Sequence, residues 1–108
     1  MAFKLGRNRN KNDTATVSAG ITLNSTTSTV ILAANPNRMS FDVNNNFSNQ
    51  AAWVKMQAAS TDNDKKGIFL NKKNAGISSW SMSPDNIYTG EISAIADSGS
   101  PTVYVTEY

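Results

Sequence analysis

The chain has 108 residues, no cysteine, no histidine and a formal net charge of +2, with 39% hydrophobic and 17% charged residues. Without Cys and His there can be no disulfide framework, thiolate nucleophile, Cys- or His-based metal site, or Ser-His-Asp or Cys-His catalytic set, which leaves only carboxylate, Lys or Tyr chemistry. The length fits one domain with a single modest core, and the 14 Asn, 13 Ser and 10 Thr favour turns and strand faces, because these side chains compete with a helical backbone for hydrogen bonds.

In chain order, residues 1–13 read as an extended basic arm. Lys4, Arg7, Arg9 and Lys11 stand there against Asp13, a net +3 that leaves residues 14–108 at −1. With Phe3 and Leu5 as the only sizeable apolar groups, the arm cannot offset its own ordering entropy and is expected to order against a partner. It lacks the dense basic run or interleaved aromatics expected of a nucleic-acid binder. Docking on a protein subunit, by charge or by adding a strand to a sheet, is the better reading.

From Thr14 onward, short β-rich runs alternate with turn residues, which predicts a single antiparallel β-sandwich over 14–108, jelly-roll or Ig-like, of about eight strands. Strands are expected at 14–17, at 21–23, and at 28–33, where the apolar run suggests a central strand covered on both faces. Asn35-Pro36-Asn37 makes a turn. The 38–44 run alternates, with Met39, Phe41 and Val43 on one face and Arg38, Ser40 and Asp42 on the other, and Asn44-Asn45-Asn46 ends it. A strand follows at 51–57, with Val54 and Met56 on one face and Trp53 and Lys55 on the other; helix over 50–60 is the main alternative there. Further runs begin at Ile68 and at Ile77, the latter with Trp80 and Met82 on one face. The last third, 91–96 and 102–107 around Asp97-Ser98-Gly99-Ser100-Pro101, reads as a hairpin.

No motif carries catalysis. The carboxylates read as turn formers and solvated strand ends, since a working pair needs two acids held across a cleft. Asp62-Asn63-Asp64 starts like a calcium loop but lacks its Gly spacing and closing acid. The Asn24-Ser25-Thr26 and Asn46-Phe47-Ser48 sequons read as chance in so Asn-rich a chain. Trp80 is assigned to the core beside Met82, whereas Trp53, sharing a face with Lys55, is a candidate contact residue. Lys65-Lys66 and Lys72-Lys73 flank one strand and are candidate contacts to an acidic surface, with solvated strand ends as the plainer reading. A sugar-binding module is a further option, through Trp53 or Tyr88 exposed in a shallow groove. The longest apolar run, 30–34, is far short of the ~18 residues that span a bilayer. A soluble protein made in the cytoplasm, with no membrane partner, is expected.

Residues 31–43, Ile-Leu-Ala-Ala-Asn-Pro-Asn-Arg-Met-Ser-Phe-Asp-Val, resemble the "ANPNR" strand-turn-strand of small structural proteins of tailed bacteriophage virions. The stretch 89–105, Thr-Gly-Glu-Ile-Ser-Ala-Ile-Ala through Thr-Val-Tyr-Val, is similar to the closing hairpin of the same proteins. The likeness covers 21–108, with 51–82 matching in outline; at 60–73 similar chains have a short Gly-rich connection where this one is Lys-rich. The resemblance implies a non-enzymatic β-sandwich virion component without cofactor, catalytic residue or small-molecule substrate. A head decoration or cement protein on the virion surface is the first expectation, and a tail or neck component the next. Its partners would be the major capsid protein and further copies of itself, with a homotrimer on a local three-fold axis.

Overall fold

The computed structural model describes residues 16–47, 49–61, 65–82, 85 and 87–108, and every regular element among them is a strand. These are β1 (Thr16–Val17), β2 (Ile21–Thr22), β3 (Thr29–Leu32), β4 (Phe41–Asn45), β5 (Ala52–Lys55), β6 (Ile68–Leu70), β7 (Ser79–Met82), β8 (Ile92–Ala96) and β9 (Thr102–Glu107).

The pairing follows one rule. Strand β5 pairs β6, β4 pairs β7, β3 pairs β8 and β2 pairs β9, all antiparallel, as in one long hairpin. Rolling that ribbon up adds the β4–β9 and β5–β8 pairings and yields two sheets, β1/β2-β9-β4-β7 and β3-β8-β5-β6. This strand order makes the sandwich a jelly roll, not an Ig-like fold. Nine strands fill eight positions because β1 and β2 lie end to end along β9. The break between them falls at Gly20, whose φ of +111° suits glycine and where a Cβ would meet Thr102 Cγ2 at 3.1 Å and the Tyr104 ring at 3.2 Å. Across the break Ser18 N–H donates to Val105 O and Val105 N–H to Ser18 Oγ, both at 2.9 Å, so the edge stays attached.

The core lies between the sheets. Phe41, Val43, Val103 and Val105 project from the first sheet, and Ile31, Ala52, Val54, Leu70, Ile92, Ala94 and Ala96 from the second. The middle of the second sheet is lined by small side chains, with Ala52 opposite Ala96 and Val54 opposite Ala94, leaving room for Phe41 and the valines that enter from the first. Trp80, on edge strand β7, meets Phe41 edge-on with ring centroids 5.5 Å apart and stays half-buried, in keeping with its expected core place.

Three expectations need correction. The final strands form, but not as a hairpin: β8 belongs to the second sheet and β9 to the first. Turn residues mark where strands stop, whereas partner choice is set by burial, and β8 is buried at all five positions and so takes the middle of a sheet. Residues 97–101 therefore cross from sheet to sheet. Conversely, the 28–33 run is an edge strand, with Val30 on its outer side 40% exposed. Asn45 extends β4 instead of ending it, and its side chain is fully buried. Within 50–60 the strand reading holds over Ala52–Lys55, with no helix.

Candidate functional site

The Asn35-Pro36-Asn37 turn forms as expected: Asn37 N–H donates to Asn35 Oδ1 at 3.0 Å, and Arg38 N–H donates to Asn35 O at 3.0 Å. Its consequence lies in the next residue. Alternation places Arg38 on the polar face, yet it is only 3% exposed. Its guanidinium donates through Nε to Glu107 Oε2 (2.7 Å), through Nη1 to Tyr88 O (2.7 Å) and Gly90 O (3.1 Å), and through Nη2 to Ala33 O (2.7 Å), while lying over the Phe41 ring. One planar fork thus ties the end of β3, the approach to β8 and the end of β9 together at one end of the sandwich, which a compact ammonium cannot do. The arginine of the "ANPNR" stretch is a structural clamp.

The opposite end has a smaller counterpart. Asn45 Nδ2 donates to Gln50 O at 2.9 Å and Asn71 O at 3.1 Å, and its Oδ1 accepts from Phe47 N–H at 3.2 Å. The first sequon is similarly explained, because Asn24 Oδ1 caps a tight turn by accepting from the backbone and hydroxyls of Thr26 and Thr27. Among the described residues no buried side-chain nitrogen or oxygen lacks a partner.

The expected contact residues are dispersed. Lys4, Arg7, Arg9 and Lys11 lie outside the described residues, as does the Asp62-Asn63-Asp64 triplet. Trp53 sits on the outer face of the second sheet, 4.8 Å from the Phe69 ring, with Nε1 donating to Asp97 Oδ1 at 3.0 Å. Lys65 donates from Nζ to Ser25 O at 2.9 Å, which gives it a structural contact. Lys66 is exposed on the same side of β6, while Lys72 and Lys73 stand exposed in the turn beyond its other end. The two lysine pairs are thus not gathered into one patch. Tyr88 is half-buried and serves the Arg38 clamp through its carbonyl.

The outer faces of the two sheets differ in kind. That of the second sheet carries Val30, Trp53 and Phe69, 40% and 42% exposed at Val30 and Phe69, over a fully buried Ile95. Lys55 shares this face with its stem buried, its head reaching water. That of the first sheet is polar. Here Asp42 and Asn44 project from β4, flanked by Ser81 and Ser79 on β7 and by Thr106 and Tyr104 on β9. Two shallow grooves share Asp42 and Asn44: one of about 530 Å³ is completed by Ser79, Trp80 and Ser81, the other of about 310 Å³ by Asn46, Tyr104 and Thr106. The period-two pattern of β4 announces that Asp42 faces outward. No sequence signal announces that β7 and β9 will wall it on both sides, because both pairings are long-range.

No group of three or more Asp, Glu, His or Cys side chains fit to hold a metal occurs among the described residues. Comparison with protein-family models, curated proteins and solved structures finds no match.

Proposed function

We propose that this chain is a non-enzymatic structural component of a tailed-phage virion, a head decoration or cement protein that binds the major capsid protein and stabilises the shell. The observation that carries this reading is the apolar outer face of the second sheet. A free antiparallel sheet normally turns a polar face to water, whereas here Val30 and Phe69 stand 40% and 42% exposed, with the half-buried Trp53 ring packed on Phe69, which favours a contact surface. The jelly roll is a frequent capsid architecture, though that support is fold-level analogy. The arm residues Lys4, Arg7, Arg9 and Lys11 supply a net basic segment for an acidic partner surface, and the symmetry of a shell favours a trimer.

The test is co-sedimentation with purified shells. Full-length protein should pellet with heads; protein lacking residues 1–12 should remain folded and lose binding, and Phe69→Ser should weaken it. Unchanged affinity of the truncated protein would remove the arm from the account. Association with isolated tails or necks in place of shells would move the protein there, and binding to no particle part would overturn the virion assignment.

A further inference from the structure

The polar face of the first sheet is a different surface from the one just used, and it has chemistry of its own. Asp42 and Asn44 occupy the middle of β4, with β9 on one side and β7 on the other. Neither makes a side-chain hydrogen bond to any described residue, nor do their cross-strand neighbours Ser79, Ser81 and Thr106. A polar sheet face need not leave such groups apart: on the same face Thr22 and Thr102 pair hydroxyl to hydroxyl at 3.4 Å. The unpartnered groups lie where the surface is concave, since both grooves are built around Asp42 and Asn44.

The second groove also has an aromatic edge. Tyr104 borders it, 39% exposed and lying against Gly20, where a Cβ would come within 3.2 Å of its ring. That contact holds the ring in place before any ligand arrives. A carboxylate accepting two hydrogen bonds, an amide that both donates and accepts, several hydroxyls and a rigid aromatic edge form the set that recognises a polyhydroxylated ring, whose hydroxyls need paired donors and acceptors and whose C–H face packs on an aromatic. Among the described residues Asp42 is the only charge lining either groove, so the set suits an uncharged sugar better than an acidic one.

We infer that the Asp42–Asn44 grooves are a binding site for neutral oligosaccharides. The site lies on the opposite sheet from Trp53 and away from Tyr88, the aromatics to which a sugar site is assigned from sequence. It does not depend on the virion assignment; shell binding is read by sedimentation, so the two proposals can fail separately.

The experiment uses the full chain, labelled and applied to an array of bacterial capsular and O-antigen oligosaccharides, neutral and acidic. Bound sugars are then titrated calorimetrically into the full chain and its variants. At least one neutral oligosaccharide should bind, and Asp42→Asn and Asn44→Ala should each lower its affinity tenfold or more with the unfolding midpoint unchanged. Binding to no oligosaccharide, equal binding by an Asp42→Ala/Asn44→Ala protein, or binding confined to acidic sugars and abolished by salt would each overturn the site. The last outcome would assign binding to the exposed lysines.

Discussion

Arg38 and Asp42 are four residues apart, and Asn45 and Asn44 are neighbours, yet each pair divides the same way. Arg38 and Asn45 are buried and reach partners remote in sequence, Glu107 and Asn71; Asp42 and Asn44 face outward and make no side-chain hydrogen bond within the described body. Polar groups of one kind close the jelly roll at its two ends, and those of the other kind are free for a ligand. The lesson is that the number of Asn, Asp and Arg residues says little about function until each is sorted by whether the fold uses its hydrogen bonds.

That division can be broken by substitution. The largest effect is expected at Arg38. Arg38→Ala removes four donated bonds and leaves Glu107 without its cation, so a loss of about 3–5 kcal/mol is expected in urea unfolding. Arg38→Lys should recover only part of it, because one ammonium cannot span the same carbonyls. Next comes Asn45→Ala, which strands two part-buried carbonyls and one backbone N–H at a cost of about 1–3 kcal/mol; Asn44→Ala, one residue away, should change stability by no more than about 0.5 kcal/mol. Phe69→Ser loses a tilted ring contact on a half-exposed surface, about 1 kcal/mol, and its larger consequence should be weaker pelleting with shells. The smallest expected change in stability is that of Asp42→Asn, whose effect should be confined to sugar binding.

Much of this fold can be read from the residues. The alternation of 38–44 and 102–107 places Phe41, Val43, Val103 and Val105 inside, and the Pro36 turn forms where the Asn-Pro-Asn triplet predicts it. What resists is partner choice. Residues 97–101 carry the Gly and Pro of a hairpin loop, yet they join different sheets, because β8, buried at every position, takes the middle of the second sheet between β3 and β5. Arg38 misleads for a related reason. Its spacing puts it on a solvated face, and only the convergence of the distant Tyr88 and Gly90 carbonyls and Glu107 with the nearby Ala33 carbonyl makes an interior place for it. The candidate site shares the difficulty: Asp42 and Asn44 are visibly outward in the β4 pattern, but the grooves around them exist only once β7 and β9 have docked on either side.

The most direct test places both classes in one assay: urea unfolding of Arg38→Ala and of the Asp42→Ala/Asn44→Ala protein against the unsubstituted chain. The account predicts that Arg38→Ala shifts the free energy by about 3 kcal/mol or more while the double substitution stays within about 0.5 kcal/mol of the parent. Equal losses in the two proteins would contradict it, by showing that the outward groups hold the fold as the buried arginine does.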